Sequence, residues 1–186
     1  MQTRRFTLLE LLVVVAIITV LMGMVLASVH GVINHKNKTV TINGIRGLDM
    51  AIGQYYTTYN TLPFTLSAGT ANDFMVNDPN GDGDYSDSRY QELLDTLQGQ
   101  DKTLNPRGQK FLELEPGGHF TDAWGRNYRV VLDLNYDGLI DDNLVYGEAA
   151  LARETAYWSA GRDGLESVVD MDVSNDDNLN SWKSLK

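Results

Sequence analysis

Residues 11–29 read LLVVVAIITVLMGMVLASV, an apolar run without a charged side chain. At about 1.5 Å of rise per residue, a helix of this length spans most of the roughly 30 Å hydrocarbon core of a bilayer. Arg4 and Arg5 precede the run, and cationic residues at one end favour the cytoplasmic side for that end. The sequence therefore predicts a transmembrane helix over residues 6–29.

A second helical pattern follows the apolar run. Apolar side chains recur there at spacings of three and four, which is typical of one face of an amphipathic helix. The face comprises Ile45, Leu48, Ile52, Tyr55 and Tyr59. Asn60 and Pro63 come next, and proline cannot continue a helix because it lacks the N–H donor. We therefore expect the helix to continue over residues 30–59 and to end near Tyr59.

The remaining residues, 60–186, have the pattern of a globular α+β domain. Residues 64–88 are polar and glycine-rich and predict a variable loop, and a short helix is expected over 90–97. Three β-type runs separated by turn residues predict an antiparallel sheet, and they cover 128–134, 144–146 and 155–158. The predicted fold is α+β, with a long N-terminal helix, transmembrane and then amphipathic, packed on a small antiparallel sheet.

Charge is distributed unevenly along the chain. Residues 1–46 hold five of the 15 Lys and Arg residues and one of the 25 Asp and Glu residues, so the remainder holds ten and 24. This acidic domain lacks the clustered cations that neutralise phosphates, so we expect no nucleic acid as a partner. The chain contains no cysteine, which excludes disulfides and thiolate metal sites and favours oxygen-ligated ions such as calcium.

Glu10 lies at the start of the apolar run. One interpretation is a carboxylate that extends toward water from the membrane edge. The other is a buried charge that awaits a cationic partner, because an unpaired buried carboxylate is costly. The chemistry of the residue leaves both interpretations open.

The segment from Phe6 to Ile18, FTLLELLVVVAII, resembles the cleavage and methylation motif of type IV pilins and pseudopilins. The resemblance implies that a prepilin peptidase cuts between Arg5 and Phe6, removing a leader of residues 1–5, and that the new amine is methylated. It also implies that Glu10 pairs with that amine during filament assembly. The family has glycine before the phenylalanine, where this chain has Arg5.

Three further stretches are similar to the major pseudopilins of type II secretion systems, and they read DAWGRNY at 122–128, WSAGRDG at 158–164 and DDNLNSW at 176–182. The resemblance implies a pilin-like fold and a structural subunit that polymerises through its N-terminal helix to drive protein export. It implies as partners copies of the same chain, the prepilin peptidase, other pseudopilins and the inner-membrane assembly platform. It places the chain in the bacterial inner membrane as a single-pass protein with a periplasmic C-terminal domain, and then in a filament.

Two other functions remain open. One is a type IV pilin for adhesion, motility or DNA uptake. The other is a membrane-tethered, calcium-dependent binding module, for which residues 64–88 would be the binding region. Catalysis is not expected, because the Ser159-Ala160-Gly161 stretch lacks the preceding glycine of a nucleophile elbow.

Residues 133–141 read DLNYDGLID and place oxygen ligands at alternate positions, followed by a glycine, as in an EF-type calcium loop. The candidate ligands are Asp133, Asn135, Asp137 and Asp141. The twelfth position is Leu144 instead of a bidentate glutamate, so calcium would either bind weakly here or need a further ligand from elsewhere, such as Asp142. The alternative is a turn held by local side chain to backbone bonds.

Two further acidic stretches are candidate calcium loops. Residues 78–84 repeat the alternating pattern, with Arg89 at the twelfth position. The resemblance to major pseudopilins implies a site in the C-terminal loop, where Asp163, Asp176 and Asp177 match the acidic ligands.

Overall fold

The computed structural model describes residues 7–64, 73–76, 88–114, 118–141, 144–145, 150–167 and 173–183, with the backbone alone for 25–30 and 174. The chain divides into two compact units, Met1–Asn37 and Lys38–Lys186. One helix of 52 residues, α1 (Leu8–Tyr59), contributes to both units.

The first unit contains the start of α1. Thr7 caps the helix, since the Glu10 amide donates to the Thr7 carbonyl oxygen at 3.1 Å and lies 3.3 Å from its Oγ1. Each side chain from Leu8 to Met24 is exposed.

The membrane anchor predicted over residues 6–29 is not found in the part of the chain that the structure describes. Among the described residues, no helix is long and apolar enough to cross a membrane. This finding contradicts the predicted single-pass localisation in the bacterial inner membrane with a periplasmic C-terminal domain.

In the second unit, the last four turns of α1 form one wall of the core. The predicted apolar face is confirmed, because Ile45, Leu48, Ile52 and Tyr55 are buried and Tyr59 packs against them. The predicted end of the helix is confirmed as well. Asn60 adopts a left-handed conformation (φ 58°) and donates its amide to the Tyr56 carbonyl at 2.7 Å, which closes the last turn.

The predicted short helix is present as α2 (Ser88–Gln98). Its buried apolar side chains lie at spacings of three and four and join the core that α1 begins. They are Tyr90, Leu93, Leu94 and Leu97.

Within the described residues, four short strands form one antiparallel sheet in sequence order, which confirms the α+β class. They are β1 (Phe74–Met75), β2 (Arg129–Leu132), β3 (Thr155–Ser159) and β4 (Leu179–Asn180). Val130 pairs with Tyr157 at the centre of the sheet, and Phe74 pairs with Leu132 at one edge.

The sheet is covered on both faces, because successive side chains of a strand point to opposite sides. Val130, Leu132 and Tyr157 pack into the cluster that contains α1 and α2. Val131 and Trp158 belong to a second cluster on the other face. That second cluster also contains Ile140, Val145, Leu151 and Ala156.

The predicted strand over 144–146 is wrong for its two described residues. The Leu144 amide donates to the Asp141 carbonyl at 3.1 Å, which places it in a turn, and Val145 is buried without strand pairing. The edge strands β1 and β4 were not predicted. Each has only two residues, too few to show an alternating pattern.

Candidate functional site

The exposed start of α1 is the first candidate site. Its large apolar side chains occupy consecutive positions from Leu11 to Val15 and continue to Met24, and each is about half exposed or more. Consecutive positions of a helix lie about 100° apart, so these side chains surround the helix instead of forming one stripe. Glu10 lies among them in the first turn and is exposed.

The cap at Thr7 suggests an interpretation of Glu10 that the sequence analysis did not include. Thr7 and Glu10 are three residues apart, as the threonine and the glutamate of a capping box are. The carboxylate also lies at the positive end of the helix dipole. Arg5 and Phe6, the predicted cleavage and methylation residues, lie outside the described residues, and their role stays a prediction.

The loop of residues 133–141 is folded around the Asp133 carboxylate, which is fully buried. Asp133 Oδ1 accepts from the Tyr136 amide at 2.6 Å, and Oδ2 accepts from the Gly138 amide at 2.8 Å. Asn135 Oδ1 accepts from the Asp137 amide at 2.8 Å. The side chains of Asp137 and Asp141 are exposed. The loop thus has its turn preformed and two carboxylates at its surface.

Asp73 joins this loop from a distant part of the chain. Its Oδ2 accepts from the Asp141 amide at 2.8 Å, while its buried Oδ1 has no hydrogen-bond partner among the described residues. The side chain is only 7% exposed. Desolvation raises the pKa of Asp73, the carboxylates of Asp133, Asp141 and Asp137 raise it further, and the Asp141 amide opposes the rise.

Sequence interpretation missed Asp73. It lies directly before the apolar stretch Phe74-Met75-Val76, and this position was the only local signal. Because β1 pairs with the end of β2, Asp73 is brought to the loop that starts at Asp133.

The C-terminal loop brings together two of its three predicted calcium ligands. Asp177 Oδ2 accepts from the amides of Arg162 and Asp163 at 2.6 and 3.2 Å. The Asp163 carboxylate instead accepts from the Leu165 amide at 2.8 Å. Asp176 is exposed. In this arrangement the carboxylates of Asp163 and Asp177 are engaged by backbone amides.

Within the described ranges, no group of three or more His, Cys, Asp or Glu side chains is placed to hold a metal ion. The calcium ligands predicted in the loops of 133–141 and 163–177 therefore stay predictions. The acidic stretch at 78–84 lies outside the described residues.

Asp122 connects two of the stretches that carry the family resemblance. Its Oδ1 accepts from the amides of Trp124 and Arg126, each at 2.9 Å, and its Oδ2 accepts from Ser159 Oγ at 2.6 Å. Arg126 Nη1 then donates to the Gly161 carbonyl at 2.7 Å. Residues 122–128 and 158–164 therefore form one hydrogen-bonded unit, in which Ser159 is held by a carboxylate.

Comparison with protein-family models, with curated proteins and with solved structures finds no match for this chain.

Proposed function

We propose that this chain is the structural subunit of a type II secretion pseudopilus, which polymerises through the start of α1 and drives protein export. The observation that carries the proposal is the exposed apolar surface around α1 from Leu8 to Met24. A contiguous apolar surface of this size marks an interaction site. Burial of apolar area stabilises by roughly 25 cal/mol per Å², so covering many such side chains supplies a large driving force for association.

The distribution of these side chains favours a polymer over a closed dimer. A pair of helices covers one stripe on each partner, whereas the apolar side chains here surround the helix. Several copies must therefore pack around each helix to cover it. Heterologous contacts repeated from copy to copy that do not close into a ring produce a helical filament.

Glu10 fits the same assembly. In the family that the motif of residues 6–18 resembles, the glutamate pairs with the methylated amine of the residue at position 6. An amine from one copy would neutralise the Glu10 carboxylate as the surrounding helices bury it, because an unpaired buried charge is strongly destabilising. The proposed partners are further copies of this chain, a prepilin peptidase, other pseudopilins and the assembly platform.

The second unit supports a pilin-like fold as the finer description of the α+β class. The last turns of α1 and the antiparallel sheet share one core. The segments 122–128 and 158–164, which resemble the pseudopilin pattern, are joined through Asp122 and Arg126. These two segments resemble the pseudopilin sequence and also contact each other. The contact supports a pilin-like local structure more strongly than the sequence resemblance alone does.

The proposal is tested by placing a charge on the apolar surface of α1. Val14→Lys should lower the yield of filaments seen by electron microscopy by about tenfold or more, because burying an unpaired ammonium costs several kcal/mol and 1.4 kcal/mol corresponds to a factor of ten. Met50→Lys is the matched control, since Met50 is also exposed on α1 but belongs to the second unit. Unchanged filaments from Val14→Lys would overturn the proposal.

Deletion of the gene separates the proposed function from the other two. Loss of secretin-dependent export identifies the pseudopilus, whereas loss of surface pili with normal export identifies a type IV pilin. A purified protein that never polymerises but binds glycan or peptide in a calcium-dependent way identifies a binding module.

A further inference from the structure

We infer that Asp73 and the loop of residues 133–141 form a binding site for a divalent cation, with calcium as the preferred ion. The inference is independent of the proposed filament function. The alternating pattern of the loop supplies most of the ligands, and Asp73 supplies the acidic ligand that the pattern lacks at Leu144.

The loop already has the backbone that an EF-type calcium loop requires. Its sixth residue, Gly138, has a φ of 81°, which glycine adopts without strain. The Gly138 amide donates to the first ligand residue, Asp133, at 2.8 Å. Ile140 and Leu151 then exchange two backbone hydrogen bonds of 2.8 and 3.0 Å, which fix the exit of the loop. A preformed turn lowers the cost of ordering the ligands.

The buried carboxylate of Asp73 is the second and independent observation. Its Oδ2 contacts the loop at the Asp141 amide, and its Oδ1 is buried without a hydrogen-bond partner among the residues described. Burying a carboxylate oxygen without a partner is costly, and buried charges are as a rule paired or bound to metal. A cation between Asp73 and the loop would satisfy this oxygen.

The available oxygen atoms match the number that calcium prefers. Calcium takes six to eight oxygen ligands at about 2.3–2.6 Å and tolerates irregular geometry. The site offers side-chain oxygens of Asp73, Asp133, Asn135, Asp137 and Asp141 and the carbonyl of Leu139, which is the backbone position of an EF-type loop. Magnesium demands a stricter octahedron at about 2.0–2.1 Å and retains its waters, so a loop with mixed ligands favours calcium.

Binding requires a small rearrangement. No three acidic side chains in the described part of the chain are gathered around one point. Asp137 Oδ1 accepts from the Leu139 amide at 2.8 Å, and its Oδ2 accepts from Asn135 Nδ2 at 3.2 Å. Asp137 and Asp141 are both exposed, so a change of rotamer would break these surface bonds but would not disturb the core. We therefore expect these two side chains to turn inward around the ion, while Asp133 and Asp73 stay in place.

The experiment is a calorimetric titration of the full purified chain with calcium and, separately, with magnesium. The titration should show at least one calcium ion bound per chain. Calcium should bind at least tenfold more tightly than magnesium. Asp73→Asn and Asp137→Asn should each weaken calcium binding at the site by about tenfold or more, because each removes a charged ligand. Asp49→Asn, at an exposed acid of α1, is the matched control and should leave this binding unchanged. Asp163→Asn, titrated in the same way, tests the C-terminal loop.

Asp73 is buried, so its variant needs a check for correct folding by circular dichroism. Asp137→Asn changes an exposed side chain and keeps the test decisive if Asp73→Asn does not fold. The inference is overturned if calcium does not bind, if both variants bind as the parent does, or if binding is lost in Asp163→Asn alone, which would place the ion in the C-terminal loop.

Discussion

Gly44 of α1 lies directly against the phenol ring of Tyr128, the residue that precedes β2. A Cβ atom at position 44 would overlap the Tyr128 hydroxyl and would lie 2.6 Å from Cζ of the ring. Tyr128 is buried, and its hydroxyl donates to the Thr41 carbonyl at 3.3 Å, one turn earlier in α1. The missing side chain of Gly44 thus sets how closely this part of α1 approaches the sheet.

Gly44→Ala should destabilise the protein by about 1–3 kcal/mol, the usual cost of overpacking a core. The expected fall in the thermal midpoint is about 2–4 °C per kcal/mol for a chain of this size. Gly53→Ala is the matched control on the same helix, because a Cβ at that position would have no described atom within 4 Å apart from the adjoining backbone of α1. Alanine is favoured over glycine in a helix by about 1 kcal/mol, so the control should raise the midpoint.

Asn105 is expected to be a major contributor to the stability of the second unit. It is fully buried and donates to the carbonyls of Thr96 and Gln109 at 2.8 and 2.7 Å, while its Oδ1 accepts from the Tyr59 hydroxyl at 2.6 Å. Asn105→Ala should cost about 3 kcal/mol or more, since unpaired buried groups cost about 1–3 kcal/mol each. Tyr59→Phe removes one bond and should cost about 1 kcal/mol. Urea denaturation of the two variants gives the comparison, and equal losses would contradict it.

Substitutions at Asp122, the centre of this hydrogen-bonded unit, should lower the stability by graded amounts. Asp122→Ala should cost about 2–4 kcal/mol, because it leaves the amides of Trp124 and Arg126 and the hydroxyl of Ser159 without their acceptor. Asp122→Asn keeps an oxygen for the two amides and should cost less than half as much. Asp176→Ala, at an exposed acid, is expected to stay within about 0.5 kcal/mol of the parent. Equal losses in the free energy of unfolding for Asp122→Asn and Asp122→Ala would contradict the assigned role of the Asp122 oxygens as acceptors.

Two roles are proposed for Glu10, and substitution can separate them. Glutamine also serves in a capping box, so Glu10→Gln should preserve the start of α1 while removing the charge. If the carboxylate pairs with an amine during assembly, Glu10→Gln and Glu10→Ala should both assemble poorly. Thr7→Ala, which removes a cap of about 1 kcal/mol, should assemble normally. Normal filaments from Glu10→Gln would show that capping alone explains the residue.

The sequence predicted the elements in which the spacing of apolar side chains repeats over several helical turns. The face from Ile45 to Tyr59 and the buried side of α2 follow from spacings of three and four, and both are confirmed. The end of α1 follows from Asn60 and Pro63. These signals are local, so one chain segment contains all the information that they need.

Long-range pairing accounts for what the sequence did not predict. The edge strands β1 and β4 are two residues long and exist because longer strands lie beside them. Val145 looked like part of a strand, but its apolar side chain is buried in the second cluster without strand pairing. Asp73 and Asp141 are 68 residues apart in the chain, so only the fold could bring Asp73 to the acidic loop. The membrane anchor was inferred from the apolar run of α1, and the structure contradicts it.

Chemical crosslinking between copies tests the filament proposal most directly. The parent chain has no cysteine, so introduced thiols react without background. Val14 and Ala16 are exposed and lie about 200° apart around α1. A short bismaleimide should convert Val14→Cys alone into dimers and the double variant Val14→Cys/Ala16→Cys into a ladder of higher multimers. Dimers only, or no crosslinks, from the double variant would contradict polymerisation through α1.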